Sequence, residues 1–215
     1  MKKTIKKEMF RQHDQDIGML FGLAIGDAMG EPIEFQDARS PENYVREYKE
    51  GGFHKVSKGE FTDDTSMALA MADAFIEKRK SYGPNFDGHA IMNNFLDWRY
   101  KGKYSPRGKC FDVGMTVAGA LRKYSENKAN AFTGSTDRMS AGNGGLMRLA
   151  PAIITAKTKD EAIMFAKEST RLTHGAKEAL MYSEVLAEEL WDRKPSESGA
   201  KLKHPLDINR SEVLS

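Results

Sequence analysis

The chain has almost no cysteine: Cys110 stands alone among 215 residues. No internal disulfide framework can form, and a reducing compartment is expected. There is no excess of charge either, since 33 Lys and Arg face 31 Asp and Glu for a net charge of +2. That balance argues against a nucleic-acid-binding protein. Long apolar runs are missing as well. The longest, Gly18 to Gly26, is closed by Asp16 and Asp27, far short of the ~20 residues of a membrane span. The segment from Met1 to Lys7 is basic but has no apolar signal core behind it, so a cytoplasmic location is expected. Strand signals are scarce, because period-two alternation never lasts beyond a few residues. What is present is an ordinary globular composition, 40% apolar and 30% charged. Its length lets it bury roughly 70% of the unfolded surface without a staple.

The punctuation predicts an all-α domain. Helices are expected over about Asp14 to Met29, from near Thr62, over Gly88 to Tyr100 and over Asp112 to Ser125. Three more are expected over Gly145 to Thr155, Lys159 to Leu172 and Ala176 to Arg193. The second carries Met67, Met71, Ala74 and Phe75 on one face, and the last carries Ala176, Leu180, Ser183, Leu186 and Leu190. In the first, Gly18, Gly22, Gly26 and Gly30 recur every four residues. Each costs about 1 kcal/mol against Ala inside a helix, so a closely packed neighbour is expected there. Tyr48 to Glu60 reads as a surface loop, and the chain turns polar after Lys194. The expected organisation is a basic extension over 1–13, a helical domain over 14–193 and a polar tail over 194–215.

Three segments offer chemistry. In Gly26-Asp27-Ala28-Met29-Gly30, the glycine and Pro32 stop a helix whose last turn disfavours the anion of Asp27. That acid needs a donor or a cation, and Glu34 follows on the loop; both can equally be solvated surface acids. In Phe61-Thr62-Asp63-Asp64-Thr65, three successive oxygen side chains suit a hard cation such as Mg²⁺. The same residues suit a helix start, with Thr62 as N-cap, and one arrangement can serve both ends. In the stretch from Ser140 to Arg148, the glycines around Asn143 let backbone N–H groups converge on an anion. An ordinary glycine-rich turn fits those residues as well. The stretch is neither a Walker loop nor a dinucleotide fingerprint. Cys110 and His174 have no recognisable triad partner, so nucleophilic catalysis is unsupported.

Taken in order, Gly26 to Gly30 with Glu34, Phe61 to Thr65, Cys110 to Gly114, Gly142 to Pro151, and Thr173-His174 resemble the ADP-ribosylglycohydrolase family. The nearer likeness is to its bacterial ADP-ribosyl-[dinitrogen reductase] hydrolase branch, over about Asp14 to Trp191. The resemblance implies an all-α orthogonal helical bundle with two Mg²⁺ ions at the base of a cleft. It implies metal ligands at Thr62, Asp63 and Asp64, and a catalytic acid at Glu34. Substrate contacts are implied at Asp27, Ser140, Gly142, Asn143, Gly144, Gly145 and His174. Asp112 is implied to handle the modified side chain, and a carboxylate suits a guanidinium bidentately. The expected activity is Mg²⁺-dependent hydrolysis of the ADP-ribose bond on a protein side chain, arginine by this likeness. The expected partners are ADP-ribose or an ADP-ribosylated protein, with no nucleic acid and no membrane.

The chain departs from the family at one motif. Asp-x-Asp-Thr, the family's second metal motif, has no match here, since only Asp192 and Asp207 follow His174 among the aspartates. The resemblance thus implies a C-terminally truncated member lacking the last helices. Incomplete Mg²⁺ binding, reduced hydrolysis and self-association through exposed apolar surface are expected. The alternative is a catalytically inactive ADP-ribose-binding member or a fragment without function.

Overall fold

A computed structural model describes the backbone of residues 2–37, 39–79 and 86–192, and the side chains of 14–37, 39–78 and 86–192. Seven α-helices make up the fold among these residues: α1 Lys2–Gly30, α2 Asp63–Arg79, α3 Gly88–Lys101, α4 Met115–Glu126, α5 Ala150–Thr155, α6 Lys159–Arg171 and α7 Lys177–Asp192. No strand occurs among the described residues, only two isolated bridges. The expected all-α class is observed.

Local chemistry sets the helix ends. Asp87 caps α3 by accepting from the Ala90 N–H at 3.0 Å, and Gly102 closes it in the left-handed conformation. Thr158 caps α6 by accepting from the Glu161 N–H. Two starts differ from expectation. α4 begins at Met115, which leaves Asp112 on the preceding loop. α5 begins at Ala150, with Pro151 in its first turn, where a missing N–H costs no intrahelical bond. Asn143–Gly145 instead forms a short 3₁₀ turn. α1 starts at Lys2 rather than near Asp14, its early residues being good helix formers. The tail over 194–215 lies outside the described residues.

α2 is the central element, packing on α3 and α5, while α6 packs on α5 and α7. Met67, Met71, Ala74 and Phe75 are buried as their spacing predicts, against Ile91, Phe95, Trp98, Leu121 and Phe165. A second cluster joins Leu149 and Ile153 to Ala162, Ala166 and Ala187. The glycine stripe of α1 corrects its expectation: a Cβ at Gly18, Gly22, Gly26 or Gly30 would meet nothing within 4 Å. Beside it Ile17, Phe21 and Ile25 are 41%, 65% and 44% exposed. No described helix has the length and apolarity to cross a membrane.

Candidate active site

The C-terminal end of α1 and the N-terminal end of α2 meet through one carboxylate. Asp27 is buried, and its oxygens accept from the Thr62 N–H at 3.0 Å and the Thr62 hydroxyl at 2.9 Å. They also accept from the Thr65 N–H at 2.9 Å and the Thr65 hydroxyl at 2.6 Å. Asp27 therefore supplies, from another helix, the capping acceptor that Thr62 would have given to α2. The unfavourable end of α1 is offset by the favourable end of α2. With its oxygens so engaged, Asp27 holds the two helix ends together at the edge of the cavity.

This junction aims Asp63 and Asp64 into a cavity of about 720 Å³. Asp27, Glu34, Thr62, Asp63, Asp64, Asp112, Gly142, Asn143, Gly144 and His174 all line it. Ser140 and Gly145 do not. Ser140 ends a separate 3₁₀ turn, and Gly145 faces α6, where a Cβ would come within 2.4 Å of Thr170. One wall is acidic. Burial, then Asp112 and Asp64, push Asp63 far above the usual carboxylate range. Burial, then Asp27, Asp112 and Glu34, push Asp64 up to about 7. Burial and the neighbouring Glu34 also raise Glu31. A hydroxyl and carboxylates short of positive charge form a hard donor set, which fits Mg²⁺. Among the described residues, no carboxylate after Asp112 lines the cavity.

The opposite wall is built to donate. His174 is 2% exposed, and burial together with Arg148 lowers its pKa to about 4, so the ring is neutral. Arg148, fully buried, donates to the Thr173 hydroxyl oxygen at 2.6 Å and to the Ser169 carbonyl at 3.0 Å. The Thr173 hydroxyl can then give its own proton to His174 Nδ1, 2.8 Å away. That assignment leaves the proton of His174 on Nε2. Nε2 lies beside the glycine turn, where a Cβ on Gly144 would sit 3.1 Å from it and 2.6 Å from Cε1. Only glycine lets this turn lie over the imidazole.

Sequence reasoning missed two titratable lining residues, Glu31 and His54. His54 lies within the stretch read as a surface loop, and its neighbour Val56 is buried. Gly51 and Val56 close the loop with reciprocal backbone bonds of 2.9 and 2.8 Å. Gly52, at φ +71°, packs so closely on Pro32 that a Cβ would come within 2.8 Å of its Cα. Arg107 donates to the His54 and Lys55 carbonyls at 3.1 Å while gripping Glu60 at 2.7 and 2.8 Å. His54 Nε2 thereby rests 3.2 Å from Asp112 Oδ1. The signal available in the sequence was the closely spaced Gly51, Gly52 and Gly59 of this loop.

Comparison with known proteins agrees with this arrangement. The sequence model of ADP-ribosylglycohydrolase matches residues 11–198. The chain is 35% identical over 178 residues to the ADP-ribosylarginine hydrolase Tri1 of Pseudomonas putida (strain GB-1), covering 82% of this chain and 46% of that protein. It is 30% identical to the ADP-ribosyl-[dinitrogen reductase] glycohydrolase of Rhodospirillum rubrum, covering 66% and 45%. A solved structure, the ADP-ribosylglycohydrolase-related protein complex, superposes with a TM-score of 0.68 at 36% identity, covering 85% of this chain and 56% of that one. The chain spans about half the length of the curated relatives it matches. Its motif order, its helical frame and these matches together make it a member of the ADP-ribosylglycohydrolase family.

Proposed function

We propose that this chain carries one side of a Mg²⁺-dependent site that hydrolyses the bond between ADP-ribose and a protein arginine. The observation that carries the reading is one cavity with an acidic wall, Asp63, Asp64, Glu34 and Asp112, facing a donor wall, His174 and the Gly142–Gly144 turn. Relatives named for ADP-ribosylarginine hydrolysis support the acceptor.

The donor wall suits the diphosphate. The Nε2–H of His174 and the start of the 3₁₀ turn give it donors without a titrating charge. Asp112 accepts from the guanidinium and orients it. Glu34 is the carboxylate placed to move a proton at the anomeric carbon, where an oxocarbenium-like charge develops. Thr62, Asp63 and Asp64 would hold Mg²⁺, which when bound supplies the positive charge that orients ribose hydroxyls and acidifies water. The Thr62 hydroxyl gives its proton to Asp27, so its oxygen keeps lone pairs for a cation.

Release of ADP-ribose from ADP-ribosyl-arginine, with and without Mg²⁺, tests the reading. Turnover that needs Mg²⁺ and vanishes in Asp63→Ala is expected; turnover surviving that substitution would remove the metal assignment. A second reading draws on the absence, among the described residues, of any cavity carboxylate after Asp112. On it the chain holds ADP-ribose without cleaving it. Calorimetric binding indifferent to Mg²⁺, with no turnover, would favour this second reading.

A further inference from the structure

Glu31, Glu34, His54 and Asp112 form a group that neither the Thr62–Asp64 motif nor the glycine turn accounts for. One ligand atom from each lies within 4.8 Å of all the others. At bond lengths near 2.1 Å, octahedral donors stand about 3 Å apart when adjacent and about 4.2 Å apart when opposite. The four residues therefore surround a volume of ionic size. An acidic cluster alone would mean little, because such clusters are ordinary on solvated surfaces. Glu31 changes that. Its residue is only 4% exposed, it lines the cavity, and its Oε1 has no hydrogen-bond partner. A buried carboxyl oxygen left unpaired is costly, even though the rest of the group meets Glu34 and the His54 backbone. The supporting frame is also fixed. Gly52 locks the His54 loop onto Pro32, and Arg107 holds the His54 carbonyl. The imidazole packs edge-on against Phe53 and Phe111, with centroids 4.9 and 6.0 Å away.

We infer that Glu31, Glu34, His54 and Asp112 bind a first-row transition-metal dication at a position adjoining the Asp63–Asp64 magnesium ligands. The imidazole nitrogen sets the chemical class. Nitrogen beside carboxylates favours manganese, iron or zinc over magnesium, which prefers oxygen alone. Glu31 and His54 contribute only to this position, whereas Glu34 stands between the two. An ion here also engages Asp112, so it should compete with a guanidinium; this consequence alone rests on the hydrolase reading above.

Mn²⁺ is the probe. Electron spin echo envelope modulation of the Mn²⁺-loaded chain should show coupling to a directly bound imidazole nitrogen. The coupling should vanish in His54→Gln and persist in His174→Gln, because His174 is not one of the four grouped ligands. Glu31→Gln, which preserves shape, should weaken the nitrogen-coupled binding by about tenfold or more. Absence of nitrogen coupling in the unsubstituted chain, or coupling that survives His54→Gln, overturns the site. Unchanged affinity in Glu31→Gln overturns the part given to Glu31. The readout needs no substrate, so its failure leaves the hydrolase reading standing, and loss of that reading leaves this site untouched.

Discussion

Asp27 joins two helices with one side chain, and its removal should be costly. Asp27→Ala strands the N–H groups of Thr62 and Thr65 and both hydroxyls in a buried place. A loss of about 2–4 kcal/mol is expected, from charge-assisted bonds and the exposed helix end, read as a lowered midpoint in urea unfolding. A loss below about 0.5 kcal/mol would show that α2 starts without it. Asp64 gives a pH dependence whose sign follows from its raised value. Between its ordinary value of 3.8 and about 7, the folded chain binds a proton that the unfolded chain has released. Stability of the metal-free chain should therefore fall as pH rises through that window, and level off above it. In Asp64→Asn this part of the slope should disappear from melts recorded between pH 4 and 8.

Elements were legible in the sequence where a single helix dictates its own pattern. The Met67, Met71, Ala74 and Phe75 stripe and the Asp87 and Gly102 ends of α3 are local, and the structure follows them. The cavity residues from Asp27 to His174 were legible through motif order, which no periodicity could supply. What escaped depends on contacts between distant segments. The stretch around Gly51 looks like solvent-facing chain until Arg107, 53 residues beyond His54, grips its carbonyls. The cap on α2 comes from residue 27, and Arg148 reaches His174 through the Thr173 hydroxyl. The glycine stripe misled for a related reason, since spacing says that a face is bare but not that something covers it. The Arg107 grip is testable at this scale. Arg107→Lys loses the fork that reaches Glu60 and two carbonyls together. Trypsin or chymotrypsin should then cut between residues 51 and 60 several-fold faster, while an unchanged cleavage rate would show that the glycine contacts suffice.

At the scale of the whole molecule, the open face of α1 departs from a sealed globule. Ile17, Phe21 and Ile25 stand exposed beside bare glycines. Such a face favours association. Sedimentation of the chain should show concentration-dependent self-association, and Phe21→Lys should move it toward the monomer. Identical sedimentation of the two would place the contact elsewhere. The two walls of the cavity also answer differently to acid. The donor wall keeps its single proton on His174 down to about pH 4, whereas the Asp64 carboxyl takes one up near pH 7. Mild acidification thus acts on one wall only. In the metal-free chain the acidic wall therefore sheds negative charge on mild acidification while the donors stay as they were, so an anionic ligand should bind no more weakly at pH 5 than at pH 7.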